Sequence, residues 1–286
     1  MTAASRASAR LEGGLRTRGV YKKGTLDHPL VSVVTVTYNR ATRIEDTIHA
    51  VLEQTYPNVE YLVVDGGSTD GTVDILRKYE DRLGFWVSEP DAGIYDAMNK
   101  AVDLVHDSAS YVLFANSDDT LYSPQALERL VQGGCGADLV YGRMIVTDGE
   151  ASAVYGRKIV LEDLAGEMLC HPATMMRRRI FDDVGKFDTS FRIAADYDLI
   201  VRCFAHPVSS QFVPEIVSRM AMGGVSEDQF MISCRERKKV VRARFTSRAR
   251  LLGVWRVNLY DIPRNAARHW LSRAGLLRHW RILKGL

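Results

Sequence analysis

Residues 31–40 read "VSVVTVTYNR". Seven residues, most of them β-branched, run without a charge and then stop on polar side chains. A strand with one wet face would alternate apolar and polar residues. A continuous run suits a strand buried on both faces, and parallel sheets covered by helices bury their strands that way. The flanking sequence fits. In "ATRIEDTIHAVLEQ" (41–54), Ile44, Ile48, Val51 and Leu52 fall at helical spacing, and Thr42 with Glu45 has the form of a capping box. "VEYLVV" (59–64) is a second buried strand. A helix near 71–80, a strand at "FWVS" (85–88), a helix near 94–105 and a strand at "YVLFA" (111–115) follow. This rhythm predicts an α/β fold with a mostly parallel central sheet flanked by helices.

Past about residue 120 the pattern loosens. "DLVYGRMIVT" (138–147) reads as a strand, "RIAADYDLIVRCF" as a loop running into a helix, and the chain beyond about 227 as helical and basic. The expected organisation is a loose lead-in over 1–29, a body over 30–225 and a helical basic C-terminal tail over 226–286. The net charge of +3 conceals an asymmetry. From Arg235 onward, 15 Lys and Arg face 2 acids, a charge of +13, and the remaining 23 against 33 leave −10 for the rest. An acidic body and a basic tail suggest two jobs.

No apolar stretch reaches the roughly 18–20 residues of a membrane span. The N-terminus lacks the apolar core of a secretory signal. Cys135, Cys170, Cys203 and Cys234 form no CxxC pair, which argues against zinc ribbons and redox motifs and for reduced cysteines in a cytoplasmic protein.

In open α/β sheets, ligands bind at the carboxyl ends of the strands. The first strand ends in Thr37, Tyr38, Asn39 and Arg40, the second in Asp65 and "GGSTDGT", and the fourth in "FANSDD" (114–119). Neither GxGxxG nor GxxxxGK[ST] is present, so no glycine-rich loop of those kinds cradles a diphosphate. A divalent cation would do so instead, and hard cations need carboxylate oxygens. That gives Asp118 and Asp119 a reason to stand together. The alternative is that "SDD" caps a helix near Ser123.

"VSVVTVTYNR", "VVDGGSTDGT", "SEPDAGIYDAMNKA", "FANSDD" and "FRIAADYDLIVR" occur here in the order found in family 2 glycosyltransferases of the GT-A fold. The chain most resembles the bacterial group that builds surface polysaccharides, over roughly residues 30–225. The resemblance implies inverting transfer of a sugar from a nucleoside diphosphate donor, often UDP-linked, to a hydroxyl of a glycan or lipid-linked glycan, with Mn²⁺ or Mg²⁺. By position, Thr37, Tyr38 and Asn39 resemble the nucleotide-base contact and Asp65 the acid that accepts a hydrogen bond from the base. "NSD" stands where the family has DxD. Asp118 then resembles the metal ligand, Asn116 the ribose-side residue, with Ser117 between them, and Asp119 a second ligand or a helix cap. Asp196 matches the catalytic base, and Asp198 is read as structural. Glu89, Asp91 and Asp96 are candidates for the donor sugar and Asn99 or Lys100 for its ribose or phosphates, the alternative being a turn in which Asp91 caps the helix. His171, in "LCHPATMM" (169–176), falls in the loop that the family places near the acceptor. "MGGVSE" (222–227) resembles the family's loop after the core and holds no His for a metal.

In "RLLGVWRVNLYDIPRNAARHWLSRAGLLRHWRILKGL" (250–286), Arg alternates with Trp beside an apolar stripe. That suits a helix lying on an anionic membrane surface, placing a cytoplasmic protein at the inner face of the membrane. The alternative is a helix packed on the body or on a second copy of the chain. The apolar stripe argues against nucleic acid. Two rival functions share the body: a sugar nucleotidyltransferase, for which "YNRATR" is a poor match, and a non-catalytic sugar-nucleotide-binding protein, against which Asp65, Asp118 and Asp196 count.

Overall fold

The computed structural model describes residues 10–147, 152–221 and 229–261. The opening stretch is strand β2 (Val31–Thr37), which follows a short N-terminal strand β1 (Leu11–Gly13). Then come α1 (Ile44–Leu52), β3 (Val59–Asp65), α2 (Thr72–Lys78), β4 (Phe85–Ser88), α3 (Ile94–Leu104), β5 (Tyr111–Phe114), β6 (Asp119–Leu121) and α4 (Ala126–Gly133). The second half holds β7 (Leu139–Thr147), β8 (Ser152–Tyr155), β9 (Thr174–Arg177), α5 (Ile180–Asp183), α6 (Ala195–Ala205), β10 (Ser210–Ala221), α7 (Phe230–Arg244) and α8 (Ser247–Arg256).

One sheet runs in the order β1-β4-β3-β2-β5-β9-β7-β10-β6, with β8 pairing on β7. The block β4-β3-β2-β5 is parallel, as its buried runs predict. Past β5 the sheet is mixed: β9 is antiparallel to both β5 and β7, while β10 is parallel to β7. Every residue of β2 is buried. Val34 and Val36 face one apolar layer with α3 and α6, while Val31 and Val33 face the other with α1 and α4. Two polar members of the strand are satisfied internally: Thr35 Oγ1 donates to the Ala115 carbonyl at 2.6 Å, and Ser32 Oγ to Glu60 at 3.3 Å.

Two expectations change. Helix α1 has Arg43 at its N-cap and no side-chain cap, so Thr42 and Glu45 form no capping box. The helix grows instead from a turn in which Arg43 and Ile44 N–H both donate to the Arg40 carbonyl at 2.9 Å.

Residues 10–29 are not a loose lead-in. Strand β1 pairs antiparallel with β4, Leu11 opposite Ser88. The Arg16 guanidinium is sunk into the fold, donating to Glu60 Oε1 at 2.8 Å and to the Leu104 carbonyl. Glu60 is itself buried, so this pair ties the N-terminal segment to β3 and α3.

The described part of the tail, 229–261, is joined to the body. Val240 and Val241 enter the core layer of α6, and Arg244 pairs with Asp198 at 3.4 Å. A Cβ on Gly253 would meet the Ala165 carbonyl oxygen at 2.2 Å, so α8 approaches the body as closely as glycine permits. Trp255 stays 58% exposed. The rest of the stripe assigned to a membrane surface, 262–286, lies outside the described residues, as do 222–228 with the loop after the core. No described helix is long and apolar enough to cross a membrane.

Candidate active site

The carboxyl ends of β2, β3, β4 and β5 lie side by side, because these four strands are parallel neighbours. At the end of β2 the chain turns at Asn39, which adopts φ +51°. Asn39 holds that turn: its Oδ1 accepts from Thr69 N–H at 2.9 Å, and its own N–H donates to Ser68 Oγ at 2.7 Å. Tyr38 beside it is 59% exposed, an aromatic face open to the rim. Thr37 Oγ1 is buried with no hydrogen-bond partner.

Asp65 ends β3 fully buried. Its Oδ2 accepts from Gly67 N–H at 3.1 Å, Ser68 N–H at 2.8 Å and Ser88 Oγ at 2.6 Å, and its Oδ1 accepts from Ser68 Oγ. The carboxylate is spent on shaping the "GGST" turn. The expectation that it contacts a nucleobase does not fit this geometry, because the turn encloses both oxygens.

The "SEPDAGIYDAMNKA" segment is likewise divided between framework and open groups. Lys100 Nζ donates to the Pro90 carbonyl at 2.8 Å and pairs with Glu89 at 3.3 Å and Asp96 at 3.5 Å. Asp96 Oδ2 accepts from Ala92 N–H at 3.0 Å. Asn99 exchanges two hydrogen bonds with the Phe187 backbone, at 2.9 and 3.0 Å. These three residues bind the loop to α3 and α3 to the body. Asp91 uses only Oδ1, which accepts from Gly93 N–H at 2.8 Å.

Strand β5 runs out into Asn116, Ser117, Asp118 and Asp119. Ser117 is buried, and its carbonyl accepts from Thr47 Oγ1 at 3.3 Å. Asn116 Oδ1 is buried without a partner. Asp118 is partly exposed and faces two guanidinium groups, Arg40 Nε at 3.2 Å and Arg43 Nε at 4.0 Å. Asp119 opens β6 rather than capping a helix, since α4 starts at Ala126 without a side-chain cap. Burial, followed by the neighbouring Asp118 charge, pushes the Asp119 carboxyl up to about 7.

That shift gives a stability prediction. A carboxyl whose folded pKa lies above its unfolded value near 4 contributes stability that is full below pH 4 and lost as pH rises through 7. Without divalent cations, Asp119→Asn should melt higher than the parent at pH 8, by an amount worth a few kcal/mol at most. The gain should vanish near pH 4. A gain equal at both pH values, read by calorimetric melting, would remove the charge as its cause.

Asp196 sits in the first turn of α6. Its Oδ1 accepts from Tyr95 Oη at 3.0 Å and from Tyr197 N–H at 2.8 Å, while Oδ2 has no hydrogen-bond partner among the described residues. The same hydroxyl lies 2.5 Å from the Ile193 carbonyl, so its one proton is shared between the two acceptors, and the Tyr95 ring stacks on Phe187 with centroids 5.7 Å apart. From α7, Glu236 accepts from Arg192, Ile193 and Ala194 N–H at 2.8, 2.8 and 3.0 Å, capping the turn that leads to Asp196. Asp198 points into the core and pairs with Arg202 Nε at 2.8 Å, the structural role expected of it. His171 is buried against the Phe114 ring at 5.6 Å and edge-on to Phe187 at 6.0 Å, with neither ring nitrogen hydrogen-bonded. Burial lowers its pKa, and the Asp196 charge opposes that shift. It lies beneath the site rather than on an open acceptor surface.

Sequence reasoning missed Tyr95, Arg40 and Glu236. Glu236 left a signal, as one of two acids in a basic run. Tyr95 left one too, as the aromatic hydroxyl inside a polar motif at a helix start.

Tyr38 at the end of β2 and the acids at the end of β5 flank the point where the strand order reverses, and open α/β sheets bind ligands in the crevice at such a point. Residues 32–185 match the model described as Glycosyl transferase family 2. A "PGL/p-HBAD biosynthesis glycosyltransferase" of Mycobacterium tuberculosis is 33% identical over 208 residues, covering 69% of this chain and 79% of the relative. TuaG of Bacillus subtilis, provisionally assigned to teichuronic acid biosynthesis, is 38% identical over 127 residues, covering 42% of this chain and 50% of its own. The chain belongs to glycosyl transferase family 2 and is a glycosyltransferase. Two solved structures share its fold. PcManGT, a mannosyltransferase of Pyrobaculum calidifontis in complex with GDP-Man and Mn²⁺, superposes with a TM-score of 0.64 at 19% identity, over 92% of this chain and 81% of that one. TarS of S. aureus in complex with UDP-GlcNAc gives 0.59 at 17% identity, over 79% and 70%.

Proposed function

We propose that this glycosyltransferase moves a sugar, with inversion, from a UDP-linked donor to a hydroxyl of a glycan or lipid-linked glycan, and that Asp196 is the base. The carrying observation is the Asp196 carboxylate: one oxygen is fixed by Tyr95 and the first turn of α6, and the other is left without a partner. Inversion needs one in-line displacement. The acceptor hydroxyl loses its proton to Asp196 as its oxygen attacks the anomeric carbon, and the bond to the diphosphate breaks on the opposite face. Tyr95 and Glu236 set where the carboxylate stands. The relatives' names and the UDP-GlcNAc and GDP-Man complexes of the fold neighbours support a nucleotide-sugar donor and a cell-envelope glycan.

The residues present fit a divalent cation. Asp118 is accessible, Asp119 is an acid raised by burial and then by the Asp118 charge, and Asn116 Oδ1 is an orphaned oxygen two residues before Asp118. Among the described residues no cluster of three metal-ligating side chains exists. An ion here would be held by one or two carboxylates, with the substrate's phosphates completing the shell. When bound, the cation offsets charge on the leaving diphosphate. Arg40 and Arg43, now on Asp118, are cations at the same strand end.

The metal assignment is tested by binding. Asp118→Ala should remove the increase in UDP affinity that Mn²⁺ or Mg²⁺ gives, while UDP binding without metal changes little. Calorimetric titration with and without 1:1 metal reads this out. An undiminished metal effect would move the ion off Asp118.

A further inference from the structure

Gly66, next in the chain after Asp65, holds an unusual space. A Cβ there would stand 2.5 Å from Asp91 Oδ2 and 3.3 Å from the Tyr38 ring. The Asp91 carboxylate therefore lies directly over the Gly66 backbone, in the place where a side chain at 66 would project. Its Oδ1 is fixed by Gly93 N–H, and Oδ2 has no hydrogen bond among the described residues. The exposed Tyr38 ring borders the same spot, and Thr37, opposite Asp65 in the β2–β3 register, holds a buried hydroxyl without a partner. An aromatic face, an acid with a free oxygen and an orphaned hydroxyl thus meet at one strand end.

The geometry points to Asp91, and not Asp65, as the acceptor that reads the donor's nucleobase. The inference rests on the nucleotide-sugar reading and names its specificity residue. A planar base lying against Tyr38 turns its edge toward Asp91. A carboxylate only accepts hydrogen bonds, so it selects a base whose ring nitrogen carries a proton. The uracil imide and guanine do, whereas the same ring position of cytosine is an acceptor and would meet Asp91 lone pair to lone pair. A site built to pair a buried polar group rejects the analogue that cannot pair it. Desolvation raises the Asp91 carboxyl and nearby Lys100 counters it, so the group is partly withdrawn from water before any base arrives. Asp65 serves by holding the "GGST" turn, and glycine at 66 leaves the room that Asp91 fills.

The test is calorimetric titration of the full chain with UDP, GDP and CDP, comparing the parent with Asp91→Asn and Asp65→Asn. Asparagine keeps the shape of Asp91 and the Gly93 contact but can place an N–H toward the base. The parent should bind UDP or GDP more tightly than CDP. Asp91→Asn should weaken its preferred nucleotide by about tenfold or more and leave CDP unchanged or tighter, narrowing the ratio. Asp65→Asn should lower the melting temperature and weaken all nucleotides together, with the ratio kept. Gly66→Ala, which displaces the Asp91 carboxylate without touching its charge, should reproduce the narrowed ratio. If Asp91→Asn leaves the ratio as it was, or Asp65→Asn alone changes it, the assignment to Asp91 is wrong while the nucleotide-sugar reading stands. A parent that binds none of the three nucleotides would sink that reading and this one with it.

Discussion

Asp196→Asn is expected to lower sugar transfer by about 10²–10⁴-fold, the range typical of losing a general base. The amide keeps the volume of the side chain and can still accept from Tyr95 and from Tyr197 N–H through its oxygen. What it loses is the capacity to take a proton at the other position. Donor affinity should stay near that of the parent, because the change removes an interaction made as the acceptor proton moves and not one made in the ground state. Tyr95→Phe should do less, since it frees the carboxylate to turn without removing it. Transfer assays and UDP titration on the same preparations separate the two effects. An Asp196→Asn enzyme with half of the parent rate would place the base elsewhere.

Arg202→Ala should cost about 3–5 kcal/mol of folding stability, the range for stripping one partner from a buried ion pair. Asp198 is 2% exposed, and Arg202 is its nearest cation at 2.8 Å. The other cation, Arg244, stands at 3.4 Å and is itself partly solvated. The same guanidinium donates to the Val184, Gly185 and Lys186 carbonyls at 2.7, 3.2 and 2.6 Å. Truncation therefore orphans a carboxylate and a turn at once. Arg202→Lys should recover only part of the loss, because an ammonium cannot span four acceptors in one plane. Urea unfolding followed by circular dichroism gives the comparison, and a loss under 1 kcal/mol for Arg202→Ala would mean that Arg244 carries the charge alone.

The parallel block was legible because burial on both faces forces a residue pattern. Val31 through Thr37 can hardly be read otherwise, and the β3 and β4 runs follow suit. That the polar strand ends of the candidate site share one rim was legible for the same reason, since parallel strands deliver their ends together. What stayed hidden depends on contacts between distant residues. Nothing local in "VVDGG" says that Ser68 and Ser88 will consume Asp65, or that Asp91, 25 positions beyond Gly66, will settle over the glycine. The hold of Glu236 on the backbone before Asp196 spans more than 40 residues. Residues 10–29 lack periodicity because three residues of strand and one buried arginine hold them, and neither needs a repeating pattern. Thr42 and Glu45 show the reverse error: a local cap was available, and the turn on the Arg40 carbonyl took its place.

The strand order begins with β1 and finishes with β6, each only three residues long. A strand at the boundary of a sheet presents unpaired amides and carbonyls that can template another chain. Here β1 covers Trp86, Val87 and Ser88 of β4 and replaces an apolar strand with one carrying Glu12. Three residues offer an approaching chain too little backbone to pair with, and a charged side chain makes the approach costlier still. The first described residues thus stand between the edge of β4 and any second copy, so a shortened N-terminus would lay that edge open.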